Sequence, residues 1–209
     1  MNARDVVQSP VLVGRDSQLD LIEQRLADAA GGAGRLLFVA GEAGIGKTPL
    51  LGSAARRAQR GGFAVVRAAA FPGDVQSFAG LLLDLASSLM SAEEAGLIDV
   101  GRILASRARA LPPDRGDAHH RRRLQVQDLA EAIAAAQFGQ PALIILEDLH
   151  WADELSLDVI SHLAGRLAAM PLLVAGAYRS DELYPRLRCG YCGPALWASV
   201  SPRRSGYPG

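Results

Sequence analysis

Apolar residues in this chain are arranged in two ways that alternate along its length. Continuous apolar runs of strand length occupy "RLLFVAG" (35–41), "FAVVRAAAF" (63–71), "PALIILEDL" (141–149) and the start of "MPLLVAGAYRSDE" (170–182). Runs without polar alternation are what parallel strands buried on both faces require. Between them, apolar residues recur at the spacing that lines one face of a helix. Leu19, Ile22, Leu26 and Ala29 form one stripe, with Asp16 or Ser17 as the expected cap, Ser17 and Asp20 resembling a capping box, and Gly31, Gly32 and Gly34 as the stop. A second helix is expected over 47–60, ended by Gly61 and Gly62. Residues 75–111 read as helical, with Phe78, Leu81, Leu82, Leu85 and Leu89 inward and "ALPPD" closing the region. A helix after "HHRRR" (119–123) turns Leu124, Leu129, Ile133 and Ala136 inward, and one capped by Asp153 turns in Leu157, Ile160, Leu163 and Leu167. Strands that alternate with helices predict an α/β fold of three layers, a mostly parallel sheet with helices on both faces.

After residue 183 the character changes. "LYPRLRCGYCGPALWASVSPRRSGYPG" is rich in Arg, Pro, Gly and Ser and keeps no period. The expected organisation is therefore an N-terminal extension over 1–10, one domain over 11–182, and an atypical, disordered or non-native tail over 183–209. Both cysteines, Cys189 and Cys192, lie in that tail. A lone "CGYC" with no second Cys/His pair nearby reads as two ordinary thiols rather than a zinc or redox site.

Charge narrows the function classes. The 22 basic and 22 acidic residues cancel, which argues against a dedicated nucleic-acid or membrane-surface binder. No apolar run approaches the ~20 residues of a membrane span, and "MNARDVVQSP" lacks the apolar core of a signal peptide. A cytoplasmic protein is expected, with no membrane partner and no direct nucleic-acid contact by this segment. The basic run at 119–123 reads first as a solvated helix start and second as an anion site.

The chemistry concentrates in "GEAGIGKT" (41–48), which fits G-x-x-x-x-G-K-[ST]. Gly41, Gly44 and Gly46 allow backbone conformations that aim successive N–H groups inward as an anion nest, with Glu42, Ala43 and Ile45 between them. The helix that follows adds its positive N-terminal dipole. Lys47 supplies a charge for β- and γ-phosphates, and the Thr48 hydroxyl can ligate Mg²⁺. The motif sits between a buried strand and a helix, the context that separates a phosphate loop from an incidental glycine-rich turn. "LIILED" (143–148) supplies a second acidic strand end: Glu147 and Asp148 can hold Mg²⁺ and orient an attacking water, in either assignment. Arg179, in "YRSDE", falls at the carboxyl end of the sheet, where it can sense a γ-phosphate or pair with Asp181 or Glu182.

"VLVGRD", "GEAGIGKT", "LIILEDLHWAD" and "LLVAGAYRSDE", in this order, resemble the ATPase domain of STAND-type regulators, the AAA-like P-loop module of large LuxR-type transcriptional activators and multidomain adenylyl cyclases. The resemblance covers about residues 11–182, and "EDLHWAD" is its most specific part. It implies an ATP/ADP switch that self-associates when ATP-bound. It also implies that Val13, Gly14 and Arg15 lie near adenine, residues 41–48 hold phosphates, Glu147 and Asp148 serve Mg²⁺ and water, and Arg179 is a sensor arginine. His150, Trp151 and Asp153 match the motif, with packing and helix capping as their structural readings.

Two departures from the family pattern stand out. Pro49 is sterically welcome in a first helical turn, but it lacks the N–H usually offered to the α-phosphate and biases Thr48 away from helical angles. Losing one charge-assisted hydrogen bond costs about 1.5–3 kcal/mol. The fifth strand and helical lid expected of the family are missing from the recognisable part, which leaves 35–41 as an apolar sheet edge; "ALWASV" (195–200) is the one substitute. The sequence thus reads as a truncated or frameshifted fragment of a longer regulator, with an active AAA-type ATPase or a nonfunctional remnant as the alternatives.

Overall fold

The computed structural model describes residues 15–110, 118–135, 138–180 and 196–199, with 118–121 and 196–199 described as backbone. The four apolar runs form β1 (Arg35–Gly41), β2 (Ala64–Ala69), β3 (Ala142–Glu147) and β4 (Leu172–Arg179). With β5 (Leu196–Ser199) they make a parallel sheet in the order β2-β3-β4-β1-β5. Successive side chains of a strand point to opposite faces, and the two faces have separate cores. Leu37, Val39, Leu143, Ile145 and Leu173 pack beneath α1 (Asp16–Ala30) and α2 (Lys47–Arg60). Leu36, Phe38, Val66, Ile144 and Val174 pack against α3 (Gly80–Met90), α4 (Ala95–Arg109), α5 (Ala118–Ala134) and α6 (Glu154–Ala164). This is the three-layer α/β arrangement the sequence predicts, and each fully buried leucine or isoleucine contributes about 1.5–3 kcal/mol to it.

The expectation that the fifth strand is missing does not hold. Leu196–Ser199 lies parallel to β1, with Leu37 opposite Leu196 and Ala40 opposite Ser199. The cause is the apolar edge itself: β1 is buried almost along its whole length, and a parallel strand that apolar would otherwise present unpaired N–H and C=O groups. The remainder of the tail, with Cys189 and Cys192, lies outside the described residues.

Three helical details also differ from expectation. The region expected to be helical holds two helices, and Phe78, expected inward, precedes them and is 49% exposed. Asp74 organises the approach: its carboxylate accepts from the Phe71 amide at 2.8 Å, and Ala79 then enters α3 in a left-handed conformation (φ 62°). Helix α1 begins after Arg15 without a side-chain cap, so neither Asp16 nor Ser17 caps it; the Ser17 hydroxyl bonds Gln18 instead. Leu124 is exposed rather than inward, while Leu129 and Ile133 are buried; Ala136 lies outside the described residues. In the basic run, Arg122 is structural. It pairs with Glu154 at 2.9 Å and Asp158 at 2.8 Å, tying α5 to α6. Partial burial by itself lowers the pKa of that guanidinium, and the two carboxylates outweigh it, so the net direction is upward.

Candidate functional site

The glycine-rich loop leaves the end of β1 and enters α2, as its sequence context requires. Gly44 (φ 75°) and Gly46 (φ 96°) are left-handed, a conformation that disfavours residues with a Cβ. Gly41 is the last residue of β1 and needs no such freedom. Residues 42–44 and Thr48 face solvent. Among the described residues, the amides of Gly44, Gly46 and Thr48 donate no hydrogen bond, as expected of an anion nest at a helix N-terminus. The Lys47 ammonium folds back over the loop and donates to the Gly41 and Glu42 carbonyls, both at 2.8 Å. Arg15 reaches in from the start of α1, its Nη2 donating to the Ile45 carbonyl. Val13 and Gly14 lie outside the described residues.

Pro49 is the third residue of α2, and Thr48 is helical beside it. The bias expected against helical angles at Thr48 is overridden, because Leu50 already bonds back to the Gly46 carbonyl (3.2 Å) and Leu50 and Leu51 anchor the helix in the core.

The acidic strand end is one strand removed from the loop strand. β4 lies between β1 and β3 and brings Arg179 opposite Gly41. Arg179 is thereby placed beside the root of the phosphate loop. Glu147 is the last residue of β3 and Asp148 leaves the strand left-handed (φ 54°). Asp148 is 57% exposed, and its carboxylate stands 4.0 Å from Nδ1 of the fully buried His150. Trp151 stacks obliquely on the His150 ring, centroids 5.1 Å apart, and packs against the core. Asp153 caps α6, accepting from the Ser156 amide (2.9 Å) and hydroxyl (2.6 Å). The structural readings of Trp151 and Asp153 therefore hold.

One site residue escapes the sequence reading. Arg67, the only charge in β2, donates from Nη1 to Glu147 Oε1 at 3.0 Å. An arginine inside the apolar run "AVVRAA" is the signal that could have drawn attention to it. Its partner is 80 residues away and is set by the β2–β3 register, which places Ala69 opposite Glu147.

A parallel sheet in this order, a glycine-rich loop and lysine after β1, and an acidic end on β3 define a P-loop ATPase fold. The family model described as "AAA ATPase domain" matches residues 11–175, and the chain belongs to that family. An uncharacterised protein of Rhizobium meliloti (strain 1021) is 24% identical over 189 residues, covering 80% of this chain and 18% of its own length. Among solved structures, Cdc6p from Pyrobaculum aerophilum superposes with a TM-score of 0.57 at 17% identity, covering 92% of this chain and 46% of that one. The Aeropyrum pernix Orc1 protein in complex with DNA gives 0.51 at 18%, covering 96% and 48%. A Pyrococcus horikoshii signal transduction ATPase with numerous domains, carrying a tetratricopeptide repeat sensor, gives 0.51 at 17%, covering 92% and 24%. The chain thus spans less than half the length of each of these relatives, and likenesses at such identities establish the fold alone.

The residues present fit the phosphates of a nucleotide. The loop offers orphan amides and one lysine to phosphate. Among the described residues no three His, Cys, Asp or Glu side chains cluster as a ready-made metal site. No helix among the described residues is long and apolar enough to cross a membrane.

Proposed function

We propose that this chain is the nucleotide-binding switch module of a signalling or transcriptional regulator, cytoplasmic, taking ATP or ADP with Mg²⁺ at residues 41–48. The observation that carries the reading is the loop: left-handed Gly44 and Gly46, amides without partners, and a Lys47 ammonium poised on the Gly41 and Glu42 carbonyls. In this reading Lys47 exchanges those carbonyls for phosphate oxygens, and the amides of Gly44, Gly46 and Thr48 orient the phosphates, Pro49 having no N–H to add. Thr48, Glu147 and Asp148 form the Mg²⁺ side of the site, Arg179 senses the terminal phosphate, and Val13, Gly14 and Arg15 lie toward the base. When bound, the magnesium ion supplies charge neutralisation for the phosphates.

Slow turnover fits better than rapid hydrolysis. Glu147, one of the two acids available to a metal or a water, is engaged by Arg67. The switch reading also has the module self-associate in its ATP state, as its family resemblance implies.

The test is a thermal melt of the chain with Mg-ATP and with Mg-ADP. Nucleotide at about a hundred times its dissociation constant adds ~2.7 kcal/mol, a rise of several degrees for a domain this size. Lys47→Ala is expected to abolish that rise while leaving the nucleotide-free melt cooperative. A cooperative melt of the unsubstituted chain that no nucleotide moves would sink the proposal.

A further inference from the structure

We infer that the free edge of β2 is a docking slot for an extended acidic segment of another protein, added to the sheet as a further strand. β2 ends the sheet opposite β5. The Ala64 amide donates to the Pro141 carbonyl (2.9 Å) and the Ala70 amide to Glu147 (3.0 Å). Residues of a parallel strand alternate in the side to which their backbone groups turn, so the even-numbered residues face β3 and the odd-numbered ones face away. Ala69 has this phase: its amide donates outward, to Asp84 of α3 at 2.9 Å. That carboxylate closes one end of the edge. Val65 and Arg67 turn their N–H and C=O groups the same way, and among the described residues nothing meets them.

Those groups open into a groove of about 550 Å³ between α2 and α3. Its walls are lined by small residues, Gly52 and Ala55 on α2, Ser87 and Ser88 on α3, and Ser91 just after it. A folded protein usually blunts such an edge with a bulge, a proline or a covering element; here α3 reaches it at Ala69 through Asp84. At roughly 3.3 Å per residue, the stretch between Ala64 and the Asp84 cap takes a segment of about four residues.

Charge selects the occupant. Arg56 and Arg67 line the groove, and among its described lining residues there is no Asp or Glu; Arg67 holds Glu147 through Nη1, which leaves Nε and Nη2 of its guanidinium for a second carboxylate. A second copy of this chain, paired edge to edge, would bring two exposed Arg56 guanidiniums together and is disfavoured by their repulsion. A strand with glutamate or aspartate at alternate positions offers carboxylates to both, while its backbone meets Val65 and Arg67. Main-chain bonds of this kind supply affinity and the alternate side chains supply selectivity.

The experiment titrates the isotopically labelled full chain with a hexapeptide of alternating valine and glutamate, and separately with its valine–lysine counterpart, following amide resonances. The glutamate peptide is expected to shift the Val65 and Arg67 amides, to leave the ladder amides of Val66 and Ala68 nearly unmoved, and to bind at least about tenfold more tightly than the lysine peptide. Val65→Pro removes one outward donor without touching the β2–β3 ladder, and is expected to weaken binding about tenfold while the melt stays cooperative. Arg56→Glu, on the surface of α2, is expected to reverse the preference between the two peptides. Equal binding of both peptides, no binding of either, or shifts confined to residues outside the groove would overturn the inference. Dimerisation of the chain that Val65→Pro abolishes would overturn it too, by giving the edge to a second copy.

Discussion

At the residue scale, two side chains are expected to set how well the proposed site holds a nucleotide. Pro49 occupies the first turn of α2 without disturbing it, since Thr48 is helical and Leu50 is anchored. Its cost is confined to a missing donor. Pro49→Ala restores an N–H at an unchanged backbone, and one charge-assisted hydrogen bond of about 1.5–3 kcal/mol corresponds to nucleotide affinity tighter by about ten- to a hundredfold. Calorimetric titration of both forms with Mg-ATP checks this; equal affinities would mean that the loop does not present this position to the ligand. Arg67 acts from the other side. Its pair with Glu147 is partly exposed, the two side chains being 42% and 20% accessible, so it is worth about 1 kcal/mol or less. Arg67→Ala releases Glu147 and is expected to lower the Mg²⁺ concentration needed for half-maximal nucleotide stabilisation by up to about fivefold, read from melts at fixed ATP and varied Mg²⁺. The loop was legible from sequence because its chemistry is contiguous. The Arg67–Glu147 pair was not, because contact across so long a sequence separation depends on strand register, which no local pattern encodes.

At the element scale, strands were easier to read than helices. Each apolar run became a strand because a central parallel strand admits no polar alternation. The helical region expected over 75–111 is interrupted for an equally physical reason. Its break at residues 91–94 contains neither Gly nor Pro, and the new start is marked only by Glu94, whose carboxylate accepts from the amides of Gly96 and Leu97 at 3.0 and 2.8 Å. The two helices then cross closely at Gly101. A Cβ there would stand 2.8 Å from the Ala86 carbonyl oxygen and 2.8 Å from the Met90 amide nitrogen. Both are backbone atoms within a helix and cannot swing away as a side chain can. Gly101→Ala gains helix propensity of about 1 kcal/mol, but separating the helices costs about 1–3 kcal/mol, and the second effect is expected to win. A urea denaturation curve with a lower midpoint and unchanged slope checks it; a raised midpoint would show that α4 can shift freely against α3.

At the scale of the whole molecule, the two edges of one sheet have opposite fates. The sheet order puts the phosphate-loop strand second from one edge and Arg67 on the other. The β1 edge is apolar and, among the described residues, is covered by the four of β5, drawn from a tail whose composition gave no sustained strand signal. Sequence could show that β1 needed a neighbour, because an apolar strand cannot remain an edge. It could not show that so short a segment would suffice, since the pairing depends on backbone groups that any residue other than proline supplies. Removing residues 196–209 tests how much that strand carries. A few ladder hydrogen bonds at about 1 kcal/mol each give a loss of about 2–4 kcal/mol, and at roughly 2–4 °C per kcal/mol the melting temperature should fall by about 5–15 °C. The shortened chain also exposes the outer edge of the strand that leads into the phosphate loop. It is therefore expected to aggregate as concentration rises and to lose part of its nucleotide-induced stabilisation, because Gly41 is both the end of β1 and the carbonyl that holds Lys47. Light scattering and melts with and without Mg-ATP check both effects. A shortened chain that stays monomeric and responds fully to nucleotide would mean that β1 is held in place by β4 and its two helical layers alone.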